Sequence, residues 1–419
     1  AATAAVVGEN ADSEPVEITV DDTAPTCAYV FKTVADPFVG KLSFIKVLSG
    51  KLSATSNVIN ARTGQPERLG KTLTVCGKKQ TDTPAIVAGD IGAVAKLATA
   101  KTGDTLCDPA RVVTLPAPSY PVACYRMAVR VAKKGDEGKV SGALARLIEE
   151  DPAISFTVDP ETKQQIISGL GTQHLEVAVA KLKNKFGVEI TLEVPRVPYR
   201  ESIRKSCKAQ GRHKKQTGGA GQYGDCWLRI EPNPGNGYEF VDEVVGGHIP
   251  RGFIPAIDKG VQETMREGVL AGYPMIDVKV AVYDGSYHPV DSNEMAFKTA
   301  ARIGFQKAVA QAEPVLLEPM AHLRITVPDS YAGSVMGDVS ASRGRVEGMS
   351  AGTGVAAGET TIEATIPYAE VTDYATRLRS LSRGTGEFEM ELSGYEQVPH
   401  DIQAKLAAEY AEKRATGEK

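Results

Sequence analysis

The same order of predicted elements, strand–helix–strand–strand–helix–strand, occurs twice in this chain and limits its fold more than any other feature. The first copy occupies residues 122–194 and the second, which is unrelated in sequence, occupies residues 316–395. Apolar residues at helical spacing, and Gly187 at a C-cap position, predict the helices. The predicted helices cover residues 136–150, 171–187, 331–342 and 369–382. This order is the split motif of ferredoxin-like domains.

The residues before and between the two copies follow other patterns. Residues 26–115 consist of short β-rich runs divided by turn signals, which predicts a small β-barrel. Residues 196–315 combine strands with two longer helical stretches. These two helices are predicted over residues 250–271 and 291–312. We expect Asp291 to cap the second helix, with Glu294 completing a capping box.

These patterns together predict a multidomain α+β protein. An N-terminal β-barrel is followed by two ferredoxin-like β-α-β-β-α-β domains that flank an elongated α+β arm domain. The first residues are acidic and aperiodic, so we expect a linker or leader there, and the last residues predict a polar amphipathic helix. The predicted boundaries are 1–25 for the leader, 26–118 for the barrel, 119–195 for the first ferredoxin-like domain, 196–315 for the arm, 316–398 for the second ferredoxin-like domain and 399–419 for the terminal helix.

Charge and cysteine content exclude several classes of protein. The formal net charge is −4, whereas a non-specific nucleic-acid binder is strongly basic, so any RNA contact must be a local patch. The six cysteines form no C-x-x-C pair and the histidines form no H-x-x-x-H pair, so we predict reduced thiols and no metal site. No run approaches the ~20 apolar residues of a membrane helix. We expect a cytoplasmic monomer with no membrane partner.

A polar, glycine-rich loop over residues 213–224 is the sharpest local signal for a binding site. Its G-x-G-x-x-G pattern, formed by Gly219, Gly221 and Gly224, precedes a strand-like segment rather than a helix, which argues against a dinucleotide site. Its lysines can neutralise phosphates, its glutamines can bond bases and its tyrosine can stack, which favours RNA. A flexible turn is the alternative. The predicted contact residues are His213, Lys214, Lys215, Gln216, Thr217, Gly218, Gly219, Gly221, Gln222 and Tyr223.

A second loop, residues 285–291, joins a predicted strand to a predicted helix. Ser286, His288 and Asp291 allow a hydrolase interpretation, but they are too close in sequence for a usual triad, and no nucleophile elbow surrounds the serine. We therefore predict no catalytic residue. We interpret Tyr287 and His288 as an exposed stacking pair and place Ser286 on the same contact surface.

Arg343 and Arg345 lie on a short turn between a predicted helix and a predicted strand. A guanidinium can bind phosphate oxygens through two parallel hydrogen bonds, so two arginines on one turn can hold an RNA backbone. A turn that only faces solvent has the same composition. The residues alone leave both interpretations open.

The sequence contains no phosphate-binding loop of the pattern G-x-x-x-x-G-K-[ST]. The nearest arrangement, Gly70-Lys71-Thr72, has its upstream glycine, Gly64, one position too far away. We therefore expect that this chain does not hydrolyse GTP by itself.

Several long segments, taken together, resemble elongation factor G downstream of its GTP-binding domain. They follow the family's order and span roughly residues 26–400. The segments are FKTVADPFVGKLSFIKVLSG, EEDPAISFTVDPETKQQIISGLG, PRVPYRESI, HKKQTGGAGQYGD, YDGSYHPVDSNEMAFKTAA and YAEVTDYATRLRSLSRGTGEF. The resemblance implies domains II to V of that family, with the arm as the elongated domain IV.

The resemblance also implies a function, namely GTP-dependent translocation of tRNA and mRNA on the ribosome. It implies that the two loops of the arm, including His288, face tRNA and mRNA at the decoding side, and that Arg343 and Arg345 face ribosomal RNA. No cofactor is expected in this chain, because GTP and Mg²⁺ would bind a G domain preceding residue 26. The start at Ala1 rather than methionine indicates trimming or a fragment.

Three positions depart from the family's pattern. Thr172 lies in a motif that usually reads G-M-G-E-L-H-L, Ala220 replaces an arginine of the tip loop, and Gly252 replaces an acidic residue. These changes indicate a divergent paralogue. They leave an alternative function open, a ribosome-protection or regulatory factor that does not act in routine translocation.

Overall fold

The computed structural model describes residues 6–10, 12–36, 40–77, 79–133, 135–216, 221–352 and 357–416. The chain divides into two compact units. One comprises Ala1–Pro195 with Thr372–Ser380, and the other comprises Arg196–Val371 with Leu381–Lys419. Among the residues that the structure describes, no helix is long and apolar enough to cross a membrane.

The first residues that the structure describes form a hairpin where the sequence predicted an aperiodic leader. Strand β1 (Val6–Glu9) pairs with β2 (Pro15–Ile18) in antiparallel register. Glu9 also forms an antiparallel bridge with Thr114, and the Ile18 side chain is buried in an apolar cluster. The prediction missed this hairpin because two four-residue strands are too short to show a period, and the bridging partner is distant in sequence.

In its described residues, the β-domain that follows has strands and no helix, as predicted. Eight strands form one antiparallel sheet in the order β7-β6-β12-β3-β4-β11-β8-β9, and β5 pairs with β10. Alternate side chains from this sheet fill a core that includes Val30, Ile45 and Leu106. The strands are β3 (Cys27–Asp36), β4 (Gly40–Ser49), β5 (Lys51–Ser53), β6 (Asn57–Asn60), β7 (Pro66–Arg68), β8 (Thr72–Cys76), β9 (Lys79–Thr83), β10 (Ala85–Val87), β11 (Ile91–Ala95) and β12 (Thr105–Cys107).

The first ferredoxin-like domain has the predicted order of elements. The elements are β13 (Tyr125–Val131), α1 (Glu137–Glu150), β14 (Ser155–Val158), β15 (Gln165–Gly169), α2 (Thr172–Phe186) and β16 (Ile190–Glu193). The sheet order is β14-β15-β13-β16. Helix α1 buries Val140, Ala143, Leu144 and Leu147, the residues whose spacing predicted it. Gly187 ends α2 with a left-handed φ of 67°, which confirms its predicted C-cap position.

The arm domain combines a four-stranded sheet with two helices. Its elements are β17 (Arg200–Ile203), β18 (Cys207–Lys215), β19 (Gln222–Pro232), β20 (Glu239–Asp242), a 3₁₀ turn (Arg251–Phe253), α3 (Ile254–Glu267), β21 (Val278–Ser286) and α4 (Glu294–Gln311). The sheet order is β18-β19-β21-β20, and β20 runs parallel to β21 because α3 carries the chain back between them. The core includes Leu228, Ile257, Phe297 and Phe305.

The predicted cap of α4 is wrong by two residues. Asn293 is the N-cap, and its side-chain oxygen accepts a hydrogen bond of 2.9 Å from the backbone N–H of Ala296. Asp291 instead lies in the preceding loop, where its backbone carbonyl accepts from the N–H of Tyr223 at 2.9 Å. Asn and Asp are almost equally good caps, so the sequence could not choose between them.

The second ferredoxin-like domain repeats the topology of the first. Its elements are β22 (Pro314–Pro328), α5 (Asp329–Ala341), β23 (Arg345–Ala351), β24 (Glu359–Pro367), α6 (Tyr368–Val371), α7 (Tyr374–Leu381) and β25 (Glu387–Gln397), followed by α8 (His400–Thr416). The sheet order β23-β24-β22-β25 matches that of the first copy. One predicted helix over 369–382 is two helices here, interrupted at Thr372 and Asp373, both of which have low helix propensity.

One strand predicted within the arm belongs to the sheet of this last domain. Strand β17 pairs with the beginning of β22, with Arg200 opposite Leu317 and Ile203 opposite Pro314. The long β22 therefore pairs with β17 at its start and with β24 further along. Strand pairing between distant segments is not visible in a local pattern, so the sequence assigned β17 to its neighbours along the chain.

Candidate nucleic-acid interface

The first predicted loop is the tip of the β18–β19 hairpin. In this register His213 faces Gly224, Lys214 faces Tyr223 and Lys215 faces Gln222. The His213 Nε2 and Gln222 Oε1 atoms are 2.9 Å apart, which ties the two strands together near the tip. Lys214, Lys215 and Gln216 are exposed. The predicted residues Thr217, Gly218 and Gly219, and the divergent Ala220, lie outside the described residues.

The two exposed lysines are available for an external partner. Within the described part of the chain, no carboxylate lies within ion-pair distance of Lys214 or Lys215. The neighbouring Arg212 is also exposed, and its guanidinium carbon lies 5.7 Å from the centroid of the Tyr223 ring. We did not predict Arg212 as a contact. Arg212 and Lys214 are two residues apart on β18, and residues two apart on a strand point to the same face. This spacing could have identified Arg212 as a third contact residue.

A chain of hydrogen bonds joins this hairpin to the second predicted loop. The Ser286 hydroxyl is 2.7 Å from Asp225 Oδ2 and 2.7 Å from the Tyr223 hydroxyl. Because an ionised carboxylate only accepts, Ser286 donates to Asp225, and Tyr223 in turn donates to Ser286. Asp225 is 6% exposed, so the network is anchored inside the domain. The structure thus brings Tyr223 and Ser286 together, as the prediction of one surface requires.

The loop that carries His288 is held from several directions. The His288 backbone N–H donates to Ser292 Oγ at 2.8 Å, and Ser292 Oγ donates to the Tyr223 carbonyl at 2.9 Å. The backbone N–H groups of Val290 and Asp291 lie 3.3 and 3.2 Å from His288 Nδ1. Asp291 Oδ2 also lies 3.4 Å from Nδ1, but the two backbone donors there are nearer and favour the neutral tautomer in which Nδ1 accepts and Nε2 carries the proton. That tautomer leaves the Nε2–H as a donor for a ligand. The His288 side chain is 51% exposed.

The aromatic contact at this tip differs from the predicted one. The His288 ring pairs with Tyr223 across the two loops, with centroids 6.4 Å apart, rather than with its neighbour Tyr287. Tyr287 is 47% exposed, as an external stacking residue would need to be. The fold therefore provides two exposed rings, Tyr287 and His288, of which only the second has a described ring partner.

The hydrolase interpretation of Ser286, His288 and Asp291 has no geometric support. The Ser286 hydroxyl bonds to Asp225 and Tyr223, and no hydrogen bond between Ser286 and His288 occurs among the described residues. A nucleophilic serine must be within hydrogen-bond reach of its base. Likewise, the described residues contain no group of three His, Cys, Asp or Glu side chains placed to hold a metal ion.

Two glycines of the G-x-G-x-x-G pattern serve internal packing. A Cβ atom on Gly221 would lie 2.6 Å from the Asp291 carboxyl carbon. A Cβ atom on Gly224 would lie 2.5 Å from the Ala296 carbonyl oxygen at the start of α4. The groups that approach these two glycines closely are the second loop and the helix behind it.

The two arginines of the predicted rRNA contact are already engaged within the protein. Arg343 makes a bidentate pair of 2.6 and 2.9 Å with Glu318, whose side chain is 4% exposed, and also contacts Glu370. The hydrogen bonds to Glu318 raise the pKa of Arg343. Arg345 is more exposed and pairs with Glu396. The geometry gives Arg343 a structural role, and rRNA contact by either arginine stays a prediction.

The chain is similar to known proteins along most of its length. Four family models match in consecutive order, described as elongation factor G domain 2 (residues 25–109), domain III (120–194), domain IV (195–313) and C-terminus (315–406). The chain is also similar to a crystal structure of a protein from Thermus thermophilus, at 36% identity and a TM-score of 0.71. That match covers 93% of this chain and 58% of the other, so this chain spans little more than half the length of its relative.

The series of matched domains places the chain among the relatives of translation elongation factors. It belongs to the elongation factor G family, of which it carries domains II, III, IV and the C-terminal domain. The four matched models all describe parts of that factor other than its GTP-binding domain.

Proposed function

We propose that this chain is the ribosome-contacting portion of a cytoplasmic elongation factor G-type GTPase that promotes movement of tRNA and mRNA. The observation that carries the proposal is the tip of the arm, where two loops are locked together by the Tyr223–Ser286–Asp225 network. Among the described residues, this tip presents Lys214 and Lys215 without internal ion pairs.

The proposed mechanism is mechanical rather than covalent. The lysines neutralise RNA phosphates, and the exposed His288 offers its Nε2–H as a donor to tRNA or mRNA. Because the loop is held by Ser292 and the Tyr223 backbone, the donor position is set before RNA binds, which lowers the ordering cost of binding. In this proposal GTP hydrolysis takes place in a G domain that acts with this chain, and the arm prevents return of the tRNA.

The lysines of the tip give a prediction about salt dependence. Replacing Lys214 and Lys215 by alanine should lower the magnitude of the log–log slope of ribosome affinity against salt by roughly 0.7–0.9 for each phosphate that is no longer neutralised. Salt-titrated co-sedimentation with ribosomes measures this slope. Lys279→Ala is the matched control, because Lys279 is already paired with Glu239 at 2.7 Å and should leave the slope unchanged. Absence of any salt-sensitive co-sedimentation of the wild-type chain would remove the basis of the proposed function.

The exposed histidine gives a prediction about rate. In a form of the factor that includes a G domain, His288→Ala should slow single-round translocation about tenfold, equivalent to about 1.4 kcal/mol of activation free energy, and leave GTP hydrolysis largely intact. Rapid-mixing translocation and phosphate-release assays separate the two steps. His248→Ala is a matched control, since His248 is also an exposed histidine of the arm beside a carboxylate, with Asp284 Oδ1 2.8 Å from its Nδ1, but lies outside the predicted contact loops. Loss of hydrolysis in the His288 variant would contradict the assigned role.

A second candidate function is a ribosome-protection or regulatory factor of the same architecture. The departures at Thr172, Ala220 and Gly252 favour a paralogue with a changed task. The two functions predict different results in a translocation assay run with and without a ribosome-bound inhibitor. A translocase accelerates movement without the inhibitor, whereas a protection factor acts only when the inhibitor is present.

A further inference from the structure

Two cysteines of the β-domain are direct partners on neighbouring strands. Cys27 begins β3, Cys107 ends β12, and the antiparallel register places them opposite each other. Both side chains belong to the same apolar cluster, at 4% and 0% exposure, so they point to the same side of the sheet. Sequence spacing alone gave no reason to connect two thiols so far apart along the chain.

The backbone hydrogen bonds between β3 and β12 show whether Cys27 and Cys107 form a hydrogen-bonded or a non-hydrogen-bonded cross-strand pair. The N–H of Asp108 donates to the Thr26 carbonyl at 2.9 Å, and the N–H of Val30 donates to the Asp104 carbonyl at 2.9 Å. Bonded and non-bonded pairs alternate along an antiparallel ladder, so Cys27 and Cys107 form a non-hydrogen-bonded pair. At such a pair the Cα atoms are about 4.5 Å apart, which lies within the roughly 4.4–6.8 Å that a disulfide spans.

The surroundings of the two sulfur atoms are unequal. Cys107 Sγ lies 3.4 Å from the backbone nitrogen of Val113, which donates to it, and 3.0 Å from the Val113 carbonyl oxygen. A hydrogen bond from Cys27 lowers the pKa of Cys107, and the same hydrogen bond raises the pKa of Cys27. The Val113 N–H that donates to Cys107 Sγ stabilises a Cys107 thiolate, so we assign Cys107 as the attacking thiol and Cys27 as its resolving partner.

We propose that Cys27 and Cys107 form a thiol–disulfide modification site that is closed by a hydroperoxide and reopened by a dithiol. The Cys107 thiolate attacks a peroxide oxygen, the O–O bond breaks, and a sulfenic acid forms with release of one water after protonation. The Cys27 sulfur then attacks the Cys107 sulfur, the S–O bond breaks, and the oxygen leaves as a second water. Two thiols lose two electrons and two protons, and one hydrogen peroxide is reduced to two waters.

Access to this pair depends on the N-terminal hairpin. Ile18 of β2, which is 2% exposed, packs in the same cluster as both cysteines, together with Val113 and Leu115. The oxidant reaches the thiols only when this cover opens locally, so the opening equilibrium sets the rate of oxidation. Ile18→Ala removes part of the cover without touching either sulfur, and should therefore accelerate oxidation.

The experiment is to treat the whole chain with hydrogen peroxide, denature it, alkylate it and count the labelled thiols by mass spectrometry. We expect Cys27 and Cys107 to disappear together from the alkylated peptides, a Cys27–Cys107 linked peptide to form, and both thiols to be recovered with dithiothreitol. Ile18→Ala should lose the same two thiols at least severalfold faster, and Cys107→Ser should lose neither as a disulfide.

Cys226 serves as an internal control. Burial raises the pKa of Cys226 to about 12, and it lies in the core of the arm domain, so it should stay alkylatable throughout. The proposal is wrong if Cys27 and Cys107 remain alkylatable in both the wild type and Ile18→Ala, or if the linked peptides join other cysteines. None of these outcomes depends on ribosome binding, so the result is independent of the proposed function.

Discussion

Glu201→Ala is expected to lower the free energy of unfolding of the arm domain by at least about 3 kcal/mol, although the residue lies outside the predicted contact surface. The Glu201 side chain is completely buried, at 0% exposure. Its two oxygens accept four backbone N–H groups between 2.7 and 3.0 Å. The four donors are Val269, Leu270, Ala271 and Tyr273.

The expected loss of stability follows from the four backbone N–H groups that would have no acceptor without the Glu201 carboxylate. Each buried N–H donor left without a partner carries its full desolvation cost of about 1–3 kcal/mol, and four such donors would remain. The Glu201 backbone also bonds to the same segment, from its N–H to the Pro274 carbonyl and from its carbonyl to the N–H of Ile276. One residue thus connects the chain after α3 to β17, and through β17 to the sheet of the last domain.

Chemical denaturation followed by tryptophan fluorescence measures this prediction. Trp227 is the single tryptophan of the chain and lies on β19, so its signal reports on the arm. Glu239→Ala is the matched control, because that glutamate makes an exposed ion pair with Lys279, and such pairs contribute about 0–1 kcal/mol. An unfolding midpoint for Glu201→Ala equal to that of Glu239→Ala would show that the loop finds other acceptors.

Gly211→Ala is expected to destabilise the arm by a similar amount, about 3 kcal/mol or more, and to disturb the tip. At Gly211 strand β18 touches helix α4 through backbone atoms. A Cβ atom there would lie 2.5 Å from the Gly304 nitrogen and 2.8 Å from its Cα, and closer still to the Ala300 carbonyl oxygen. Overpacking a core usually costs about 1–3 kcal/mol, and the upper end applies here because backbone cannot move aside as a side chain can.

The same substitution tests how the helix supports the tip. Strand β18 continues from Gly211 directly to Lys214 and Lys215, so separating the strand from α4 should also weaken salt-dependent ribosome binding. Gly252→Ala is the control, because a Cβ atom there meets nothing within 4 Å, and its effect should stay within about 0.5 kcal/mol. Equal stability of the two alanine variants would contradict the close strand–helix contact.

The elements of the fold that depend on local pattern were predictable from the sequence. Apolar spacing located α1, and the left-handed glycine Gly187 located the end of α2. Repetition of one element order predicted both split domains, and the sheets share one strand order. The glycine-rich loop and the His288 loop also stood out by their unusual composition, and their role in binding stays a prediction. The fold class was therefore determined by the sequence.

The parts that were missed depend on partners far along the chain. Asn293 rather than Asp291 caps α4, because the Asp291 backbone carbonyl accepts a hydrogen bond from the N–H of distant Tyr223. Arg343 looked free on its turn, but the fold places a buried carboxylate, Glu318, against it. Nothing near Glu201 in sequence indicates that it would accept four backbone hydrogen bonds.

The sequence by itself determined the order of the domains, the type of each element and the two loops that carry the candidate site. Only the tertiary structure decided that Tyr223 and Ser286 share one network, that Gly211 touches α4, and that Cys27 faces Cys107. The physical reason is that helical and strand periods arise from neighbouring residues, whereas hydrogen-bond partners, close backbone contacts and strand register arise between segments that meet only after folding.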